Sequence, residues 1–222
     1  MFHVEQSGRF VEFLTGGLAQ LGFSITDTQV HDFIYYCSEL IAWNKKINLT
    51  TITQDREIAV KHFLDSLAYT RALALFPNHN ESLLDVGSGA GFPGLPLKIC
   101  HPELDLTLLE PNVKKTAFLR HIIGKLRLKK TVVLAKRFQD LRKEPIHLGR
   151  YQYIVTRALG IERILPFARP LLADKGFIVL GRSKPLEDRT DSYGLRVARE
   201  VSFSLPYGYG KRVLTVVEPA DI

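Results

Sequence analysis

The stretch LLDVGSGAGFPGLPL, residues 83–97, constrains the fold more than any other part of the chain. A short apolar run leads directly into Gly87, Gly89, Gly91 and Gly94, with two prolines between and after the last glycines. Glycine adopts positive φ at little cost and lets a ligand come close to the backbone. An apolar strand, a glycine turn and a helix in succession predict a nucleotide-type ligand site at the carboxyl end of a parallel sheet.

The rest of the chain after residue 81 alternates as such a sheet requires. The segments predicted as strands are SLLDVG, DLTLLE, TVVLAK, YQYIVTRA, GFIVLGR, VSFSL and RVLTVVE. Short apolar strands that alternate with helices favour a parallel sheet covered on both faces. Only PYGYGK separates the last two strands, which is too short for a crossover helix, so they are expected to pair antiparallel. The sequence therefore predicts an α/β, Rossmann-like fold with a seven-stranded, mostly parallel sheet and a C-terminal antiparallel hairpin.

Residues 1–80 predict helices instead of strands. The segment TDTQ, residues 26–29, has the spacing of a capping box, and the apolar positions that follow keep a helical period. The segment NKKIN, residues 44–48, interrupts that period, and a further helix is predicted from about Asp55 to a point before Pro77. The polar segment PNHNES then predicts a boundary. We expect an N-terminal helical region over 1–80 and a second domain over 81–222.

The net charge of +7 is unevenly distributed along the chain. Residues 1–80 carry a net charge of −2 and the remainder +9, and residues 111–143 hold eleven Lys or Arg against Asp140 alone. Such a concentration beside the glycine turn favours a polyanionic partner, nucleic acid above all, over a merely solvated helix face. The N-terminus lacks the basic region followed by an apolar region that is typical of a signal peptide, and no apolar run reaches the length of a membrane span. We expect a cytoplasmic monomer without a membrane segment.

Two ligands are compatible with the glycine turn. Gly89, Gly91 and Gly94 match the dinucleotide fingerprint, and Glu110 follows at roughly the expected distance, which makes NAD one candidate. A dinucleotide, however, needs a helix N-terminus aimed at its pyrophosphate. Pro93 delays the predicted helix start to about Gly94 and leaves an open loop. Together with the acidic residue that precedes the loop, this favours S-adenosylmethionine (SAM), which has no phosphate.

The ends of the later strands supply candidate polar contacts. Glu110 ends the second strand, where its carboxylate can accept from both ribose hydroxyls; a favourable interaction with the dipole of the next helix is the alternative. Gln139 and the neighbouring backbone can hold an adenine edge. Arg157 follows the fourth strand and requires an anionic or carbonyl partner, which a structural ion pair would also provide.

The sequence lacks the residues that several methylation chemistries require. Pyrimidine C5 methylation needs a cysteine nucleophile, and Cys37 and Cys100 are predicted on helices away from the site. The two cysteines form no paired motif, and the seven histidines show no metal-binding spacing, so no metal is expected. A site without a nucleophile or an evident general base suits an acceptor that already exposes a lone pair, such as guanine N7.

Five segments identify the chain with a known family. They are WNKKINLT, KHFLDSL, LLDVGSGAGFPGLPL, LLEPNVKKTAFLRH and TRAL. In this order, over about residues 20–185, they resemble the bacterial small-subunit rRNA guanine-N7 methyltransferases, the RsmG or GidB family. The resemblance implies SAM-dependent methylation of the N7 atom of one guanine in the decoding region of 16S rRNA. A small-molecule methyltransferase and a SAM- and rRNA-binding assembly factor without turnover are the alternatives.

The resemblance also implies roles for individual residues. Cofactor contacts are expected at Gly87, Gly89, Phe92, Glu110, Phe138, Gln139 and Arg157. Phosphate or guanine O6 contacts that support catalysis are expected at Arg137, Arg157 and Arg182. RNA contacts are expected at Lys46, His62, Lys114 and Lys115. For His62, a structural hydrogen bond with Asp65, three residues further along the same helix face, is the alternative.

Two segments depart from the family pattern. The family usually has Arg-Ala-Glu where this chain reads Arg137-Phe138-Gln139, so an acidic contact becomes an amide. After the fifth strand, VLGRSKP replaces the usual Leu-Lys-Gly, so Arg182 or Lys184 has to supply the cation.

Overall fold

The computed structural model describes residues 2–73, 81–157, 159–186 and 193–220. Within these residues, one mixed sheet has the strand order β3-β2-β1-β4-β5-β7-β6. Its strands are β1 Ser82–Val86, β2 Asp105–Leu109, β3 Thr131–Leu134, β4 Tyr151–Thr156, β5 Leu172–Arg182, β6 Leu195–Ser204 and β7 Lys211–Pro219. The α-helices are α1 Phe2–Leu21, α2 Asp27–Ile47, α3 Asp55–Ile58, α4 Asp65–Leu67, α5 Gly94–Cys100, α6 Val113–Lys125, α7 Phe138–Leu141 and α8 Leu165–Ala168.

The sheet confirms the predicted architecture. β1 to β5 pair in parallel, and Leu83 of β1 lies in register with Leu106 of β2 and Tyr153 of β4. β7 runs antiparallel between β5 and β6, as the short connection between the last two predicted strands requires. The strand order reverses at β1, which is flanked by β2 and β4. Open α/β sheets bind their ligands outside the carboxyl ends of the strands at this point.

The capping box predicted at the start of α2 is confirmed. The Thr26 side chain accepts from the N–H of Gln29, and the Gln29 side chain accepts from the N–H of Thr26. The prediction that residues 44–48 interrupt this helix was wrong: α2 continues to Ile47, and Asn48 then adopts the left-handed conformation. The apolar period stops because two lysines, Lys46 and the residue before it, occupy the last turn of the helix. Cations at this end interact favourably with the helix dipole, so they do not end the helix.

A continuous helical segment begins at Asp55, as predicted. It comprises α3, a π-helical turn over Ala59–Leu64, α4 and a 3₁₀ turn over Ala68–Arg71. The predicted helix end before Pro77 and the predicted boundary at residue 80 lie outside the described residues. π turns are rare and occur frequently at functional sites, and this one carries Lys61 and His62.

The helices of the first 73 residues cover one face of the sheet. A single hydrophobic cluster contains Phe10, Phe33 and Phe63 from these helices together with Leu83 and Val179 from the sheet. A second cluster fills the opposite face. Both parts of the chain thus contribute to one cluster. The division into an N-terminal region over 1–80 and a second domain over 81–222 stays a prediction. No helix of the described residues combines the length and apolar character that crossing a membrane requires.

Candidate active site

The glycine loop is fixed between two strands at the carboxyl edge of the sheet. Gly87 has φ +71°, and an added Cβ would lie 2.8 Å from a methyl carbon of Leu159. The N–H groups of Gly87 and Ser88 donate to the carbonyl of Leu109 at 2.8 and 3.1 Å, which connects the loop to the end of β2. Glycine is therefore required at position 87 for backbone conformation, and its nearest neighbour is a side chain of the same cavity.

A buried carboxylate occupies the N-terminus of the helix that follows the loop. Oδ2 of Asp85 accepts from the N–H of Gly94, the first residue of α5, at 2.9 Å. Burial raises the pKa of Asp85 to about 7, and the bond from Gly94 opposes that shift. A dinucleotide would place its pyrophosphate at this helix N-terminus. Because Asp85 already binds the first amide and would repel a phosphate, the loop fits a ligand without one.

Glu110 connects the loop to α6 through both carboxylate oxygens. Oε2 accepts from the N–H of Gly89 and Oε1 from the N–H of Asn112, both at 2.9 Å. The residue is 6% exposed, and it lines the cavity beside the loop. Each carboxylate oxygen has a second lone pair. Glu110 is therefore held in place by the backbone while it can still accept from the hydroxyls of a ribose.

A cavity of about 460 Å³ collects the predicted cofactor residues. Its lining includes Gly87, Gly89, Phe92, Glu110, Phe138, Gln139 and Arg157. Arg137, Lys115 and His62 line it as well. The volume is typical of small-molecule sites, about 300–1,000 Å³. A close backbone approach, a carboxylate for the ribose and the apolar ring of Phe138 together fit the amino-acid, ribose and adenine parts of SAM.

Arg157 and His62 form a hydrogen-bonded wall of this cavity. Nη1 of Arg157 donates to the carbonyl of Lys61 in the π turn at 2.8 Å, and Nη2 lies 3.2 Å from Nδ1 of His62. Arginine only donates, so Nδ1 has to accept and Nε2 of His62 carries the ring proton. Nε2 lies 2.9 Å from Oγ1 of Thr50, which accepts it. Burial above all, with the nearby cations Arg157 and Lys61, lowers the pKa of His62 to about 3.

Phe92 packs between the loop and this wall. The His62 ring stacks on it at 4.6 Å, and Tyr36 of α2 lies parallel to it at 5.2 Å. The Tyr36 hydroxyl donates to the carbonyl of Ala90 in the loop. Phe92 is 4% exposed and belongs to the hydrophobic core. Its ring is thus held by packing and presents part of its surface to the cofactor cavity.

A second cavity of about 360 Å³ lies beyond the same wall. Arg157 and His62 line both cavities, whereas Asp65, Arg182 and Arg212 are among the side chains that line this one. The structure thus places Arg182 of the two candidate cations here. Lys184 lies in an adjoining groove, which Arg212 also lines. The carboxyl edge of the sheet therefore carries a cofactor-sized cavity and a basic cavity that share two residues.

Of the remaining residues predicted to contact RNA, most lie outside the two cavities. Lys46 is exposed in the last turn of α2, and Lys114 is exposed in the first turn of α6. Neither lines the two cavities, whereas Lys115 reaches the first. The two thiols also lie elsewhere: Cys37 is buried in α2, and burial raises the pKa of Cys100 at the end of α5 to about 12. No cluster that could hold a metal ion exists in the described part of the chain.

Sequence reasoning missed two residues that complete the site. Tyr36 is one of several aromatic residues on an amphipathic helix, a pattern that indicates core packing and nothing more specific. Arg212 comes from the C-terminal hairpin, far along the chain from Asp65, which it faces. No local motif signals such a contact.

The fold and the site together define a Rossmann-like, class I SAM-dependent methyltransferase. Solved structures share this fold. One is a SAM-dependent methyltransferase from Aquifex aeolicus, with a TM-score of 0.52 and 16% identity over 69% of this chain and 89% of that one. Another is TrmN from Thermus thermophilus, with a TM-score of 0.54 and 17% identity over 69% of this chain and 48% of that one.

Sequence comparison identifies the family within this class. The family described as rRNA small subunit methyltransferase G, GidB, matches residues 29–198. Two relatives are named ribosomal RNA small subunit methyltransferase G. The protein from Pelotomaculum thermopropionicum is 39% identical over 93% of this chain and 89% of the relative. The protein from Roseiflexus castenholzii is 38% identical over 80% of this chain and 75% of the relative. The chain belongs to the rRNA small subunit methyltransferase G family. The predicted family, fold class, SAM cofactor and enzyme class are confirmed.

Proposed function

We propose that this chain transfers the methyl group of SAM to the N7 atom of one guanine in 16S rRNA of the small ribosomal subunit. When bound, SAM supplies a methyl group on a sulfonium centre, which an exposed lone pair can attack. The choice of N7 is supported by the wall that the two cavities share. Its histidine, His62, has a pKa of about 3 and uses Nδ1 to accept from Arg157, so it takes up no proton near neutral pH. Guanine N7 has no proton to lose, and such an acceptor needs no base.

The chain then acts mainly by positioning. Gly87 and Glu110 hold the cofactor at the loop, and Arg157 fixes the wall between the cofactor and the base. Holding two reactants in ideal geometry can contribute about 7–11 kcal/mol to catalysis. Arg137 and Arg182 are expected to hold phosphates or the guanine O6.

The RNA backbone is expected to cross the basic surface around the second cavity. Lys184, Lys211 and Arg212 line the adjoining groove and extend the positive lining outward. Lys46 adds a cation on α2, and Lys114 and Lys115 add two on α6. Phosphate contacts of this kind fix register without reading sequence. We expect the protein to act as a monomer in the cytoplasm.

Mass spectrometry of rRNA from cells with and without this protein tests the proposal. We expect one N7-methylguanosine of 16S rRNA to disappear without the protein and to return with the wild-type chain or with Cys100→Ser. Arg157→Ala should fail to restore it, because the wall loses its donor to Lys61 and His62. With purified components at saturation, the methylation rate should be nearly flat from about pH 6.5 to 8.5.

Two results would contradict this function. A methyl group found on a ribose hydroxyl or an exocyclic amine would exclude N7 as the acceptor. A saturated rate that rises with an apparent pKa near 7 would indicate a general base, which the neutral, fully bonded His62 does not provide.

A further inference from the structure

The second cavity contains a carboxylate within a basic lining. Asp65 lines it together with Lys61, Arg157, Arg182 and Arg212, and its side chain is 8% exposed. A cavity that binds phosphate alone gains nothing from a buried carboxylate, because like charges repel strongly where water is excluded. The lining therefore indicates a ligand that carries hydrogen-bond donors as well as acceptors.

Asp65 is buried, and its contacts with the two neighbouring arginines are long. Nε of Arg212 lies 3.4 and 3.5 Å from its two oxygens, and Nη1 of Arg157 lies 4.0 Å from Oδ2. Strong charge-assisted N–H···O bonds measure about 2.7–2.9 Å. Burial raises the pKa of Asp65, and the two arginines oppose that shift. A carboxylate that has lost water and has only these long contacts among the described side chains is stabilised by the donors of an incoming ligand.

The order of residues across the two cavities follows the order of polar atoms around guanine. The base carries the 2-amino group and N1–H as donors, then O6 and N7 as acceptors. Asp65 lines the second cavity, Arg157 lines both, and the glycine loop lines the first. Enzymes that modify a base take it out of the stack. We propose that Asp65 accepts from N1–H and the 2-amino group of the extruded guanine while Arg157 donates to O6, which leaves N7 facing the cofactor cavity.

This inference rests on the proposed function and assigns the selection of guanine to Asp65. Adenine would present the lone pair of N1 to the carboxylate and its 6-amino donor to Arg157. Both pairings leave buried polar groups unsatisfied, which is the strongest form of discrimination available to a binding site. The cavity would therefore reject adenine although both purines expose N7.

Replacement of the 2-amino group tests the contact directly. Small subunits are reconstituted from unmethylated rRNA with guanine or hypoxanthine at the modified position; hypoxanthine keeps N1–H, O6 and N7 but lacks the 2-amino group. The wild-type chain should show kcat/KM lower by about tenfold or more on hypoxanthine, the effect of one hydrogen bond to a charged group. In Asp65→Asn both rates should fall and the ratio between the substrates should approach one. Asp174→Asn, at an exposed position of β5, should keep the wild-type ratio.

Binding measurements separate recognition from a structural role. With S-adenosylhomocysteine present, the dissociation constants of the two subunits should show the same loss of discrimination in Asp65→Asn, whereas SAM affinity in calorimetry should stay unchanged. A purely structural role for Asp65 would weaken both substrates equally and preserve their ratio. That result, or equal rates of the wild-type chain on both substrates, would overturn the inference. Failure of the wild-type chain to methylate N7 at all would overturn the proposed function and this inference with it.

Discussion

The carboxylates of Glu110 and Asp85 both bind the glycine loop, but their hydrogen-bond partners differ. Glu110 accepts two backbone N–H bonds, one from each oxygen. Asp85 accepts one from Gly94, while its Oδ1 is buried with no hydrogen-bond partner among the described residues. Both carboxylates fix the loop. The pKa of Asp85, raised by burial to about 7, lies close to the pH of the cell.

Asp85 makes the stability of the protein depend on pH in a specific direction. Its pKa rises from 3.8 in the unfolded chain to about 7 in the fold. Between these values the folded chain binds the proton and the unfolded chain does not, so this group lowers the free energy of unfolding as pH rises. In Asp85→Asn that loss disappears. As the pH rises from about 4 to 7, the free energy of unfolding of the variant should therefore increase relative to that of the wild type, by at most about 1.4 kcal/mol per pH unit.

Urea titrations at several pH values measure this difference. Asp174→Asn is the matched control, because it makes the same change from carboxyl to amide at an exposed position. His62 acts in the opposite direction, because its pKa falls from 6.5 to about 3 and its contribution to stability is lost as pH decreases. It is present in both proteins and cancels in the comparison. A pH-independent difference for Asp85→Asn would mean that Asp85 titrates normally.

At the scale of elements, the strands were predictable and the contacts between distant elements were not. Most strands of the sheet are short apolar runs bounded by glycine, proline or charged residues, a local signal that sequence carries directly. β6 is the exception: it begins at Leu195, six residues before the predicted segment VSFSL, because its first half carries exposed charged residues that hide the strand pattern. The end of α2 was predicted too early, because exposed lysines in the last turn break the apolar period without breaking the helix. Arg212 reaches the site because Arg182 of β5 pairs with Val213 of β7, a register that no local pattern specifies.

The contact of α2 with the glycine loop gives a prediction about this element. Tyr36→Phe keeps the ring parallel to Phe92 but leaves the buried carbonyl of Ala90 without its donor. Such a loss costs about 1–3 kcal/mol. We expect a lower free energy of unfolding and SAM binding that is weaker by about fivefold to tenfold, because the loop loses one of its anchors.

Calorimetric titration with SAM and a urea titration test the two effects together. Tyr35→Phe, on the adjacent and half-buried position of the same helix, is the matched control and should change neither value appreciably. If Tyr36→Phe binds SAM as tightly as the wild type, then α2 supports the core without fixing the loop.

At the scale of the whole molecule, the N-terminal helices contribute mainly to the core, whereas most of the positive charge lies later in the chain. The helices of the first 73 residues share their core with the sheet and carry the π turn that bonds Arg157. The basic residues concentrate later in the chain, on α6 and along the groove at β7. The N-terminal helices therefore contribute to the proposed active site, and we expect the cations around it to bind a polyanion.

This arrangement predicts how RNA binding responds to salt. If about four to six phosphates are neutralised, the logarithm of the affinity should fall with the logarithm of salt concentration, with a slope of about −0.7 to −0.9 per contact. Lys114→Glu should weaken RNA binding and reduce the steepness of that slope by about one contact. Lys114 is a sharper probe than Lys115, because Lys115 also lines the cofactor cavity.

The opposite end of the same helix provides the control for Lys114→Glu. Lys125→Glu makes the same change in net charge in the last turn of α6, at an exposed position away from both cavities. Filter binding of small-subunit rRNA over a series of salt concentrations should show a smaller effect for Lys125→Glu, and SAM affinity should be unchanged in both variants. Equal losses at the two positions would mean that RNA responds to the net charge of the protein and not to a defined track beside the cofactor cavity. A slope near zero for the wild type would contradict phosphate recognition by this surface altogether.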